Sequence, residues 1–116
     1  MGSEMCIRDS PKIILCEISG YGRTGPYADK GGFDLVAQGM SGLMSITGES
    51  KDKPPMKVGA PITDITAGLL AASGILAALV YRNETGEGQK VDTSLFEAGI
   101  VPVSYTHLTL PTKRIV

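Results

Sequence analysis

Between Lys57 and Arg82 the chain carries a single charge, Asp64, and the seventeen residues from Ile65 to Tyr81 carry none. A run this long and apolar predicts one helix, from Ile65 to about Asn83, closed by Gly86 or Gly88. Its length lies at the lower edge of what spans a bilayer. Its Gly and Ala content, with no basic cluster on one side only, favours a helix buried against close neighbours. Asp64 sits directly before the run. As an N-cap, its oxygen would accept the free N–H groups of the first turn. As a reactive group, it would stand at the positive end of the helix dipole beside an apolar wall. The two roles are compatible.

The ends read differently from the middle. Residues 1–10 show neither periodicity nor turn logic, and residues 102–116 are equally out of character. Both look like translated adapter sequence and are set aside as non-native tails. The competing reading makes Tyr105 to Leu110 an alternating strand. Setting the tails aside removes the only histidine, His107, and Cys6, so residues 11–101 hold no His and the single cysteine Cys16. One domain fits 116 residues. The net charge of −1 becomes −2 for the middle, since the tails carry +1. That balance gives no surface for nucleic acid. One cysteine excludes an internal disulfide framework and suits a reducing compartment. Without His, the middle cannot build a Ser-His-Asp or Cys-His unit, and no zinc spacing is present. Met1 to Ser10 lacks the apolar core of a signal peptide.

In chain order, Ile13 to Ile18 reads as a strand buried on both faces, as in a parallel sheet. Gly20, Gly22 and Gly25 follow with dinucleotide-fingerprint spacing, but Pro26-Tyr27 opens no helix, so the stretch is read as a loop at a strand's carboxyl end. Phe33 to Thr47 has helical apolar spacing, ending at Gly48, with Phe33 as its first core residue. Gly39 and Gly42 would let a neighbouring backbone approach, and Asp34 would suit the first-turn dipole. Gln89 to Leu95 reads as a strand, and Ser94 with Glu97 forms a capping box for a final helix. The order of strand, helix, helix, strand, helix is α/β or α+β.

Taken together, five segments resemble the class III CoA-transferases, the CaiB/BaiF family. They are Ile18 to Tyr27, Gly32 to Met44, Thr63-Asp64 with Thr66 and Gly68, Gly74 to Leu79, and Thr85 to Leu95. The resemblance implies an α/β fold, with residues 11–101 forming part of a Rossmann-like large domain. It implies a cytoplasmic enzyme that moves CoA from an acyl-CoA to a carboxylic acid. No cofactor is held permanently, since CoA and acyl-CoA are substrates, and no nucleic acid or membrane is involved. The parent protein is expected to be an interlocked homodimer, and this piece alone to be poorly soluble and inactive. By resemblance, Asp64 is the nucleophile that forms an aspartyl-CoA thioester. Lys30, Gly31, Gly32 and Phe33 match a stretch lying along CoA.

Three alternatives compete. Racemases of the same family carry a histidine where this chain has Phe33, which cannot titrate. A non-enzymatic module built on Ile65 to Tyr81 would be helical or membrane-associated. A dinucleotide-binding oxidoreductase would rest on Gly20, Gly22 and Gly25.

Overall fold

The computed structural model describes Met5 and residues 8–113, with side chains through residue 104; Cys6 and the side chain of His107 lie outside the described residues. Two strands, β1 (Leu15–Ser19) and β2 (Lys90–Ser94), pair in parallel, with Cys16 opposite Val91 and Glu17 opposite Asp92. Between them run α1 (Asp34–Met40), α2 (Leu43–Thr47) and α3 (Ile62–Thr85), and α4 (Leu95–Lys113) follows β2. The chain is therefore α/β: a parallel pair with a helical crossover.

α3 lies against the strands so closely that a Cβ at Gly74 would stand 2.5 Å from Val91 Cγ1. Its buried residues are Thr63, Ala67, Ala71 and Ala78, a stripe of small side chains on one helix face. Of the two glycines expected to close the helix, Gly86 does so, in the left-handed region (φ 77°), with its N–H donating to the Arg82 carbonyl. That end sits at the amino edge of β1. Gly88 N–H donates to Pro11 O at 2.7 Å, and a Cβ on Gly88 would strike the Ile13 carbonyl. The opposite end of α3, carrying Asp64, therefore lies at the carboxyl edge of the strands, where α/β sheets hold ligands.

Three expectations need correction. β1 is not buried on both faces: Ile18 is 51% exposed. Its other face carries Glu17, bound by Lys90 (2.7 Å) and Arg23 (2.5 Å), with Lys90 also reaching Asp92 (3.1 Å). Lys90 is needed there because the register sets two acids side by side. Second, Phe33 to Thr47 is two helices. Gly42 adopts φ 86° and breaks the run, and Gly48 closes α2 in an extended rather than left-handed conformation. Third, neither Gly39 nor Gly42 meets another backbone. The close helix contact falls at Gly99 of α4, where a Cβ would stand 2.6 Å from Ser41 Oγ.

The core is thin. Among the described residues, five of the six buried apolar ones are alanines: Ala37, Ala67, Ala71, Ala78 and Ala98, with Leu43. The largest fully buried side chains are polar: Gln38, Thr63 and Ser94. Meanwhile Leu69, Leu76 and Val80 on α3 are more than half exposed. By length and composition α3 could cross a membrane. The expected exposure of apolar helix faces is observed. The radius of gyration, 17.5 Å, exceeds the roughly 13 Å of a compact 100-residue chain.

Candidate active site

The amino end of α3 is organised by a residue from another helix. Asp64 is not the N-cap. Ile62 opens the helix, Pro61 precedes it without a side-chain cap, and Asp64 stands in the first turn. The carboxylate that takes the open N–H groups is Asp34, from the first turn of α1. Its Oδ1 accepts from Thr63 N (2.8 Å) and Thr63 Oγ1 (2.7 Å), and Oδ2 accepts from Gln38 Nε2 (2.7 Å). Gln38 in turn accepts Val58 N–H at 2.9 Å. Burial works to raise the Asp34 pKa, but the bonds from Thr63, Gln38 and the Asp64 backbone outweigh it and hold the carboxyl below its ordinary value. Asp34 does serve the α1 dipole, as expected, yet its main partners lie on α3. The signal available in sequence was Gln38, an amide four residues on in an apolar helix.

Asp64 itself is exposed, and its carboxylate makes no hydrogen bond or ion pair among the described residues. The expected apolar wall is open: the neighbouring Ile65 is 47% exposed. A carboxylate so placed keeps its lone pairs free and benefits from the helix dipole.

The Lys30 to Phe33 stretch leads directly into Asp34, which bonds Thr63 at this helix end. Gly32 packs its backbone on Gly20, with no room for a Cβ on either. Gly31 is exposed and free of such contacts. The Lys30 ammonium lies 4.5 Å from the Tyr27 ring centroid, a cation–π contact on the protein's own aromatic ring. Phe33 is not a core residue. It is 74% exposed, because the helix starts at Asp34 and leaves Phe33 extended (φ −125°, ψ 150°) ahead of it.

Two clefts open near the carboxyl ends of the strands. One, of about 420 Å³, is lined by Tyr21, Arg23, Asp92, Phe96 and Glu97 among others. A smaller one, of about 260 Å³, lies between Tyr21, Tyr27, Met40 and Phe96. Tyr21 links them, with its ring 5.4 Å from Tyr27 and 6.2 Å from Phe96. The loop between β1 and α1 shapes both, with Gly22 and Gly25 at positive φ and Gly20 O accepting the Phe96 N–H. No helix opens at Gly25, in agreement with the rejection of the dinucleotide motif. Neither cleft includes Asp64 or residues 30–33. Sequence reading missed Tyr21 and Phe96 as cleft residues, since their meeting depends on the strand pairing. Among the described residues, no group of three acids, histidines or cysteines could hold a metal.

A parallel strand pair, crossed by a helix that carries an acid at the pair's carboxyl edge, defines an α/β unit with that acid at the edge where such sheets hold ligands. The chain belongs to CoA-transferase family III, which it matches over residues 1–114. It is 51% identical over 88 residues to the succinate–glutarate CoA-transferase of Agrobacterium fabrum, covering 76% of this chain and 22% of that protein. It is 41% identical over 100 residues to the succinyl-CoA:glutarate CoA-transferase of Mus musculus, covering 86% and 23%. A solved CAIB/BAIF family protein from Brucella suis matches it with a TM-score of 0.82 and 38% identity, covering 93% and 29%. The chain thus spans about a quarter of the length of the relatives it matches.

Proposed function

We propose that this chain is the nucleophile-bearing part of a CoA-transferase that moves CoA from a donor acyl-CoA to an acceptor carboxylic acid, with Asp64 as nucleophile. The observation that carries the reading is the unpartnered, exposed Asp64 carboxylate in the first turn of α3. An Asp64 oxygen adds to the donor thioester carbonyl, and CoA thiolate leaves to give a mixed anhydride. The thiolate then attacks the Asp64 carbonyl, releasing the donor acid and leaving an aspartyl-CoA thioester. The acceptor carboxylate attacks that thioester, and CoA thiolate leaves again. The thiolate finally takes the acceptor acyl group, which restores the Asp64 carboxylate. Each step exchanges one acyl bond for another, so no oxidant or metal is required, and covalent catalysis divides one difficult transfer into easier ones.

Residues 30–33 run into Asp34, which bonds Thr63 at the same helix end, and this supports their placement along CoA. The names of the two relatives above support a short dicarboxylic acid, such as succinate or glutarate, as donor or acceptor. Covering the open flank beside Asp64, to keep water from the anhydride, falls to parts of the longer enzyme. We include in this reading an interlocked homodimer for that enzyme, and tails at residues 1–10 and 102–116 foreign to it.

The test uses the full-length enzyme with succinyl-CoA and glutarate. Asp64→Asn should abolish transfer, and the wild type should gain the mass of CoA less one water at Asp64, removable by hydroxylamine. Transfer at the normal rate in Asp64→Asn refutes the assignment. Exchange of deuterium into the acyl-CoA α-carbon would mark a racemase instead.

A further inference from the structure

We propose that Asp34 is a positioning residue for Asp64, fixing the first turn of α3 to the loop that carries residues 30–33. This inference rests on the nucleophile reading above. A helix amino end leaves four N–H groups without intrahelical partners. Here Pro61 supplies no side-chain cap, and the open donors turn to Asp34 on α1. The bonds are short, between 2.7 and 2.8 Å, and they converge on both oxygens of one carboxylate. Their donors are buried: Thr63 and Gln38 are each 1% exposed. Gln38 extends the tie along the incoming chain by accepting Val58 N–H and donating toward Ala60 O (3.4 Å). The segment from Val58 to Thr63 is thus held to α1 by one acid and one amide.

Two consequences follow for the neighbouring acid. Asp64 is one residue beyond a pinned position, so its Cα inherits the registration. Asp34 also occupies the donors that a free carboxylate at this helix end would otherwise seek. Asp64 is left without partners and with its oxygens available for attack. Because Phe33 precedes Asp34 directly, the same carboxylate sets the distance between the 30–33 loop and Asp64. A nucleophile must meet a thioester held by that loop within a near-attack geometry, and small misplacements there are costly.

The experiment compares Asp34→Ala, Asp34→Asn, Thr63→Val and Asp64→Asn in the full-length enzyme, with succinyl-CoA as probe. The readouts are the single-turnover rate of thioester formation at Asp64, KM for succinyl-CoA, and the thermal midpoint. Asp34→Ala should slow thioester formation by about 10- to 100-fold, with a much smaller change in KM. Asp34→Asn should recover only part of the rate: its amide oxygen still accepts both Thr63 donors, but its NH2 faces the Gln38 Nε2 donor and loses that bond. Thr63→Val keeps the backbone donor and should fall between. If Asp34→Ala does not fold, Thr63→Val decides: a wild-type rate overturns the proposal, and a slowed rate at an unchanged midpoint supports it. A folded Asp34→Ala that acylates at the wild-type rate overturns the positioning role alone. Persisting transfer in Asp64→Asn instead overturns the nucleophile assignment, whatever the Asp34 variants do.

Discussion

Gly20 and Gly22 lie two residues apart in one loop, yet the structure requires glycine at each for a different reason, and substitution should separate the two. Gly20 has no positive φ, but a Cβ there would stand 2.5 Å from Gly32 N and 2.6 Å from Gly32 Cα. Carbon contacts settle near 3.5–4.0 Å, so the two loops must part by roughly 1 Å. Forcing that gap in a packed region costs about 1–3 kcal/mol, rising with side-chain size. Gly22 is the reverse case. Nothing lies within 4 Å of its Cβ direction, but φ is 89°. An ordinary L-residue there costs about 1–2 kcal/mol, and Asn less, since it visits the left-handed region more readily. The order of variants must therefore cross: at position 20 Ala is milder than Asn, and at position 22 Asn is milder than Ala. Thermal midpoints of the full-length enzyme read this order, at roughly 2–4 °C per kcal/mol for a domain of 150–250 residues. Gly20→Ala should also lower CoA transfer, because Gly32 leads through Phe33 to Asp34 and so to α3. The same order at both positions, or a Gly20→Ala midpoint equal to wild type, refutes the packing argument.

Three further outcomes are expected. Asp34 has a depressed pKa, so its contribution to stability is full above the ordinary aspartate value of about 3.9 and is lost as pH falls below it. The stability gap between wild type and Asp34→Asn should shrink on acidification from pH 7 to pH 3, measured by thermal melts; a gap that widens contradicts the assignment. Lys90 has its pKa raised, chiefly by its bond to Glu17, so its favourable effect holds at neutral pH and fades as pH rises through the raised value. Lys90→Met should weaken the strand pair at low salt and less so at high salt, read by amide exchange of Glu17 and Asp92. Ser94→Ala removes the 3.1 Å bond to Glu97 N–H and should cost about 1 kcal/mol by loss of an N-cap.

What the sequence revealed and what it hid divide along the range of the interactions. Elements set by local chemistry were legible: the run after Asp64 as one helix, its close at one of the two glycines named, Gly86, a strand within Gln89 to Leu95, and Ser94 capping the helix that follows. Elements set by contacts distant in the chain were not. The start of α3 was placed three residues late because a local rule looks for a cap in the adjacent sequence, whereas the cap comes from Asp34, twenty-nine residues upstream of Thr63. Phe33 was assigned to the core by helical spacing, but Asp34 takes the first helical position in order to reach Thr63, and Phe33 is turned out. The break at Gly42 was hidden because apolar spacing continues across it.

The same contrast bears on how one helix end can serve two acids. A carboxylate that caps a helix is satisfied by that helix, and satisfaction lowers its tendency to attack anything else. Asp64 read alone had to be both cap and nucleophile, roles that are compatible in position but opposed in energy: each N–H bond stabilises the charge that must be spent in attack. The observed arrangement divides the work. Asp34 takes the donors and the buried surroundings, and its pKa falls. Asp64, one residue past the donor Thr63, keeps the helix dipole without the bonds. That division predicts the outcome of moving the acid. In Asp34→Ala with Asp64 intact, the freed N–H groups should draw Asp64 inward to cap its own helix. The variant should then retain a helical α3 by circular dichroism while its acylation slows. Loss of helix with retained acylation would show that the two acids act independently.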